Sequence, residues 1–181
     1  MTDTIANRYG PIRQLAYVAR DIPAVMEHFI GLGIGPWYYG KDVELFDFDY
    51  KGSDAQPDLE FAIAPWGGLQ LELLCQKGDT PSILLPWMQR PFAQMLQHHV
   101  AIWPDDYDGT VALAVSDGYV VQQRANTIVG RFCYLINPAQ PEFVLEITEQ
   151  SQMRREFGGY IHESQNAWNR DTAIRGFGPP E

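Results

Sequence analysis

Four polar side chains interrupt apolar, strand-like runs of this sequence. Gln14 lies within IRQLAYVA and His99 within HHVAIW, while Glu72 and Glu146 lie within LQLELLC and FVLEIT. Burying an unpaired carboxylate in such a run is costly, so two carboxylates in similar settings need a common reason. One amide oxygen, one imidazole and two carboxylates suit Zn, Ni, Co, Mn or Fe(II). The sequence therefore predicts a centre for one divalent metal.

An internal repeat places these four residues at equivalent positions. Gln14 matches His99 at an offset of 85 (99 − 14), and Glu72 matches Glu146 at an offset of 74 (146 − 72). Each half reads as a strand, a helix and three strands. Alternate residues of a strand share a face, so pairing of the halves about a pseudo-twofold axis would bring all four side chains together.

A βαβββ unit that occurs twice predicts an α+β fold in which two modules pair into a curved mixed sheet. Asp21 and Asp106 are expected to cap the helix of each module. A Pro- and Gly-punctuated linker would be either a loop over the site or a connector packed outside it. The predicted domain spans residues 1–150, with module one at about 10–75, the linker at 76–95 and module two at about 96–149; residues 150–181 form a tail that is helical from about 151 to 168.

Composition narrows the possible partners. The chain has 181 residues, is 45% hydrophobic and carries a formal net charge of −10, so it lacks the basic footprint of a nucleic-acid-binding protein. Apolar runs fall short of the roughly 20 residues that cross a bilayer, and MTDTIANRYG has no signal-peptide pattern. A cytoplasmic protein with a small-molecule substrate is expected, in which Cys75 and Cys133 are reduced core thiols.

These motifs resemble those of the vicinal-oxygen-chelate superfamily, which includes glyoxalases, bleomycin-resistance proteins and extradiol dioxygenases. QLAYVARD and HVAIWPDD, which begin at Gln14 and His99, resemble the first-strand signatures of its two modules. LELL and LEIT, which contain Glu72 and Glu146, resemble the closing strands. The resemblance covers about residues 10–150. In this order, Gln, Glu, His and Glu resemble the eukaryotic type of glyoxalase I, whereas methylmalonyl-CoA epimerases offer His, Gln, His and Glu.

The resemblance implies a metal-dependent isomerase, epimerase or lyase that moves a proton next to a carbonyl of a small chelating substrate. One divalent metal would be held by Gln14, Glu72, His99 and Glu146. Glu146 would be the principal proton-transfer base and Glu72 the second catalytic carboxylate. A homodimer is also expected. Two alternatives are an Fe(II) ring-cleaving dioxygenase and a metal-free small-molecule binding or resistance protein of the same fold.

Other residues with chemical potential receive simpler interpretations. Adjacent strand residues face opposite ways, so His98 is expected to point away from His99 as a surface or packing residue. His28 and His162 are also expected at the surface or in packing. Arg124 and Arg131 are candidate anchors for a carboxylate or phosphate of the substrate.

Overall fold

The structure is a computed structural model that describes residues 8–41 and 43–177. Within these residues, ten strands form a single mixed sheet with four helices packed on it. The predicted α+β fold with a C-terminal helix is confirmed. Residues 1–7 of the predicted domain and 178–181 of the predicted tail lie outside the described residues. No helix in the described ranges is long and apolar enough to cross a membrane.

The elements of the first half and the connection that follows it are β1 (Ile12–Ala19), α1 (Ile22–Gly31), β2 (Trp37–Gly40), β3 (Phe46–Tyr50), β4 (Asp58–Trp66), β5 (Leu69–Lys77) and α2 (Leu85–Met88). The second half and the tail contain β6 (Met95–Ile102), α3 (Tyr107–Ser116), β7 (Val120–Thr127), β8 (Gly130–Asn137), β9 (Gln140–Thr148), α4 (Gln152–Ser164) and β10 (Ile174–Arg175).

Pairing of β1 with β6 joins the two halves at the centre of the sheet. These strands run antiparallel, while β1 runs parallel to β5 and β6 runs parallel to β9. The strand order is β10-β2-β4-β5-β1-β6-β9-β8-β7-β3. The first and last strands of both halves therefore lie side by side, which is where the sequence places its four polar residues.

Capping residues start the two helices that cover the outer face of the sheet. The Asp21 side chain accepts a hydrogen bond from the Ala24 backbone at the start of α1, and Asp106 accepts one from Gly109 at the start of α3. Both expected caps are confirmed. Cys75 packs beneath α1 and Cys133 beneath α3, each as a buried free thiol.

The opposite face, here called the inner face, carries a second apolar cluster. The linker enters it, because Ile83, Leu84 and Trp87 pack there with side chains of both halves. The linker is thus packed against the inner face rather than outside the sheet. The buried members of this inner cluster are Val18, Leu45, Phe48, Leu59, Leu74, Ile83, Leu84, Trp87, Ala125, Tyr134 and Val144.

Strand β3 has a partner that the sequence pattern did not reveal. The sequence predicts three strands after the helix of the first module, but four are present: β2 ends at Gly40, and β3 is a separate strand that pairs antiparallel with β7 of the second half. β2 and β3 lie eight strand spacings apart, about 38 Å in a flat sheet at roughly 4.8 Å each. The six residue steps from Gly40 to Phe46 reach only about 22 Å. The sheet must therefore curve around the inner face.

Helix α4 lies on the inner face. The Ser151 side chain caps its first turn by accepting a hydrogen bond from the Arg154 backbone. Near its end, Ile161 is 1% exposed and packs with Tyr38 of β2 and Ile63 of β4. The tail is thus part of the fold and covers one end of the inner face.

Replacing Ile161 with Ala should destabilise the protein by roughly 2–5 kcal/mol, because the truncation leaves a cavity between α4 and the sheet. Chemical denaturation measures this change in the free energy of unfolding. The control is Met153→Ala on the same helix, where the side chain is 53% exposed and the cost should stay within about 0.5 kcal/mol. Equal stabilities for the two variants would contradict the docking of α4.

Candidate metal centre

Small residues on the central strands make room for the larger polar ones. Ala16 of β1 is paired with Glu72 on one side and with His99 on the other. Ala101 of β6 lies opposite Glu146. Both alanines are fully buried, and their small side chains leave space above the sheet in which the side chains of Glu72, His99 and Glu146 can come into contact. The sheet register therefore brings one imidazole and two carboxylates together on the inner face.

Three of the four predicted residues form a compact cluster. His99 Nε2 lies 2.9 Å from Glu146 Oε2 and 3.3 Å from Glu72 Oε2. One potential ligand atom from each residue lies within 4.8 Å of the other two. Ligand bonds of about 2.0–2.2 Å imply ligand–ligand separations of roughly 3–4.4 Å, so one ion could contact all three with little movement.

Two of these atoms lack a hydrogen-bond partner. Among the described residues, His99 Nε2 and Glu72 Oε2 are buried and neither is in hydrogen-bonding geometry, despite their short separation. Buried polar atoms without partners are costly, and natural proteins rarely leave them so. A cation between nitrogen and oxygen lone pairs would satisfy both. The residues present thus fit a divalent metal.

Gln14 lies beside the cluster, in the row of the sheet that contains Glu146 and next to the row of Glu72 and His99. It is 5% exposed and pairs with Ala101, the residue opposite Glu146. Its amide nitrogen donates to Gln70 Oε1 at 2.7 Å, and the Gln14 oxygen takes no part in that bond. The Gln14 side-chain nitrogen is thus already hydrogen-bonded to Gln70, and the side-chain oxygen is the atom that would bind a metal. Gln14 as fourth ligand stays a prediction.

A β-bulge corrects the prediction that His98 points away from His99. Ala16 pairs with His99, but the next residue, Tyr17, pairs with Gln97, so His98 is the extra residue. Both imidazoles consequently lie on the inner face, with ring centroids 5.1 Å apart. His98 is nevertheless a buried packing residue, as expected, and its ring contacts Trp87.

The two histidines form a short chain of contacts that orients the His99 ring. His98 Nε2 lies 3.4 Å from the Ile83 carbonyl oxygen, which can only accept a hydrogen bond. Neutral His98 then offers Nδ1 as an acceptor to His99 Nδ1, 2.8 Å away. In the neutral form that binds a metal, His99 therefore carries its proton on Nδ1 and offers the Nε2 lone pair. Such a partner fixes the tautomer of a metal-binding histidine.

Burial and neighbouring charges shift the pKa values of the histidines and carboxylates of the site. Burial lowers the pKa of His98 well below its usual value, which keeps this histidine neutral. Burial would also lower the pKa of His99, but the carboxylates of Glu146 and Glu72 raise it to about 9, so a metal would displace the proton that they stabilise on this ring. Burial raises the pKa of Glu72. Burial opposes ionisation of Glu146 too, yet His99 and the Thr148 hydroxyl hold its pKa below the usual value.

One functional candidate was missed by the sequence reasoning. Arg154 of α4 is partly buried, with its Nε fully buried, and the charges of Glu146 and Glu72 act on its guanidinium. The tail lies outside the repeat, so no motif pointed to it. The arginines named from the sequence lie elsewhere: Arg131 forms ion pairs with Asp108 and Glu149, and Arg124 is exposed. His28 and His162 are exposed, in line with their prediction.

A sequence profile identifies the class of protein. The glyoxalase/bleomycin resistance protein/dioxygenase superfamily matches residues 13–134, about two thirds of the chain. The chain therefore belongs to this superfamily, and the suspected relationship is confirmed. A search among curated proteins finds no match.

Solved structures share the fold at low sequence identity. Methylmalonyl-CoA epimerase from Mycobacterium tuberculosis aligns with a TM-score of 0.58 at 11% identity, covering 80% of this chain and 91% of the epimerase. A methylmalonyl-CoA epimerase in complex with methylmalonyl-CoA and NH4+ gives 0.53 at 17% identity, with coverages of 78% and 95%. A mutant 4-hydroxymandelate synthase from Streptomyces coelicolor gives 0.50 at 14%, with coverages of 81% and 51%.

His98→Phe should lower the affinity for Co²⁺ or Zn²⁺ by roughly 10- to 100-fold, because the phenyl ring can pack against Trp87 but cannot accept the bond that orients His99. Titration of metal-stripped protein measures the affinity. His28→Phe, at an exposed position on α1, is the matched control and should bind like the native protein. Native affinity in His98→Phe would show that the histidine contact does not support the centre.

Proposed function

We propose that this protein is a metal-dependent enzyme that moves a proton next to a carbonyl of a small substrate with adjacent oxygens, as an isomerase, epimerase or lyase. The observation that carries this proposal is the buried convergence of His99, Glu72 and Glu146, with a nitrogen and an oxygen left unpartnered. Membership of a superfamily that contains glyoxalases and dioxygenases supports it.

The residues that would hold the metal are His99, Glu72 and Glu146, with Gln14 as the fourth ligand. Two carboxylates balance the charge of a divalent ion, which leaves the centre near neutral before substrate binds. When bound, such a metal supplies Lewis-acid polarisation of a carbonyl and so makes the neighbouring C–H bond more acidic.

Proton transfer is assigned to the two carboxylates. Glu146 is the more tightly held, since its Oε1 accepts the Thr148 hydroxyl and its Oε2 lies 2.9 Å from His99. Within residues 8–41 and 43–177, Glu72 has no hydroxyl partner and keeps one unpartnered oxygen, and it is the more exposed of the two side chains (15% against 9%). These contacts favour Glu72 as the proton acceptor, whereas the sequence resemblance favoured Glu146. We therefore propose that both take part and that Glu72 moves the proton.

The surroundings limit water at the reacting atoms. The His99 side chain is fully buried, and the Tyr134 ring lies 5.0 Å from the His99 ring. Burial raises the pKa of Tyr134 well above its usual value, which keeps the phenol neutral. A low-dielectric site of this kind strengthens the attraction between charged groups and a developing negative charge.

The donor set favours this chemistry over ring-cleaving oxygenation. Non-haem Fe(II) oxygenases use two histidines and one carboxylate, whereas the cluster contains one histidine and two carboxylates. His98 does not supply a second imidazole ligand, because its two nitrogens face His99 and Ile83. The second alternative is a metal-free binding or resistance protein of the same fold. Metal content of the purified protein distinguishes it from the proposed enzyme.

The partners and location of the protein stay predictions. His99, Glu72 and Glu146 cluster within one chain, on β6, β5 and β9, so the proposed centre does not need a residue of a second subunit. The homodimer and the cytoplasmic location are expected from the sequence alone.

Purified protein should bind about one divalent metal per chain, and His99→Ala should abolish binding because it removes the only nitrogen ligand of the cluster. Gln14→Ala should weaken binding less. Elemental analysis and re-addition of Zn, Ni, Co and Mn to stripped protein provide the measurement. His162→Ala, at an exposed position, should match the native metal content. Failure of all four metals to bind the native protein would overturn the proposal.

Glu72→Gln should retain much of the metal yet lose roughly 10²- to 10⁴-fold in proton-transfer rate, because glutamine keeps an oxygen donor without the basicity. Glu146→Gln should lose less. Solvent deuterium exchange into hydroxyacetone, measured by NMR on metal-loaded protein, reports the rate. The control is Glu44→Gln, at an exposed position. A larger loss in Glu146→Gln would return the base to that residue, and full exchange in both variants would remove the carboxylates from the mechanism.

A further inference from the structure

Helix α4 carries a partly buried cation, Arg154, on which the charges of Glu146 and Glu72 act. Arg154 is the third residue of the helix, and its Nε is buried without a hydrogen-bond partner among the described residues. Cations are unfavourable in the first turn of a helix, where the backbone dipole is positive. Burial likewise lowers the pKa of the guanidinium. An arginine in this position with a buried, unpartnered Nε needs an anion to compensate its charge.

No described carboxylate takes that role through an ion pair. Glu146, Glu72 and Glu149 act on Arg154 by charge, but none forms a salt bridge with it among the described residues. The neighbouring Arg155 is different, since it is 53% exposed and pairs with Asp105 at 3.0 Å. Arg154 thus carries its charge without an ion pair among the described residues, and its buried Nε–H is unused.

Two other buried polar atoms without a partner in the described part of the chain belong to residues that follow β6 and β9. Trp103 Nε1 follows β6, the strand of His99, and Gln150 Oε1 follows β9, the strand of Glu146. A Cβ added at Gly158, one helical turn beyond Arg154, would lie 3.9 Å from the Trp103 ring, so this face of α4 packs against Trp103. The indole N–H and the guanidinium are both donors, which suits an anionic oxygen group, whereas the Gln150 oxygen is an acceptor and would not bind one.

Charge balance indicates the kind of anion. Glu72 and Glu146 neutralise a divalent metal, so Arg154 leaves the loaded site with one positive charge in a protein of net charge −10. A single guanidinium matches a carboxylate with two parallel N–H donors. We propose that Arg154 binds the carboxylate of the substrate, and that the substrate class is small carboxylic acids with a second oxygen on the neighbouring carbon. This assignment rests on the proposed metal centre.

Oxalate is a suitable probe because it combines adjacent oxygens with carboxylate charge; lactamide has adjacent oxygens and no charge. Calorimetric titration of metal-loaded Arg154→Met should show oxalate affinity reduced by roughly 30-fold or more, the usual effect of truncating one partner of a buried charge pair. Lactamide binding should change little. Metal affinity should stay equal or increase, because a positive neighbour has been removed.

Arg155→Met is the matched control on the same helix and should bind oxalate like the native protein. Arg154→Lys keeps the charge without the paired donors and should show an intermediate loss, which provides a reading if Arg154→Met does not fold. Native oxalate affinity in both Arg154 variants, or tighter binding of inorganic phosphate than of oxalate, would overturn the assignment while leaving the metal centre intact. Absence of metal in the native protein would overturn both proposals.

Discussion

The burial of Glu72, Glu146 and His99 on one apolar face is the constraint on which the rest of the structure depends. Two ionised carboxylates in such surroundings are tolerated only with compensating charge. The imidazole and Arg154 are the positive groups that the chain itself provides, and a divalent cation would provide the rest. Ala16 and Ala101 leave space for this grouping, since larger side chains there would fill the position that the cluster occupies.

Much of the fold could be predicted because the sequence contains an internal repeat. The Gln14/His99 and Glu72/Glu146 matches identified equivalent strands, and alternation then placed their side chains on one face. The caps at Asp21 and Asp106 were also local signals, because each depends on a backbone N–H three residues away. Features defined within a few residues, or repeated, were therefore predictable.

Features that depend on residues far apart in the sequence were not predictable. The bulge at His98 depends on how β6 aligns with β1, and strict alternation gave the opposite orientation for its ring. Strand β3 depends on β7, which belongs to the other half. Arg154 acquires its significance only when α4 docks on the inner face, about eighty residues beyond Glu72 in the sequence. In each case the deciding contact is tertiary, and the residues involved are locally unremarkable in type.

The path of β3 has a consequence for how the molecule unfolds. Chain from the first half crosses to the far edge of the sheet and returns, so each half supplies part of the other's packing: Phe48 and Leu45 join an apolar cluster that includes Ala125 and Tyr134. Neither half can bury its inner side chains alone. Although the sequence reads as a duplication, the two halves share a strand pairing and an apolar cluster. We therefore expect them to unfold in one cooperative transition.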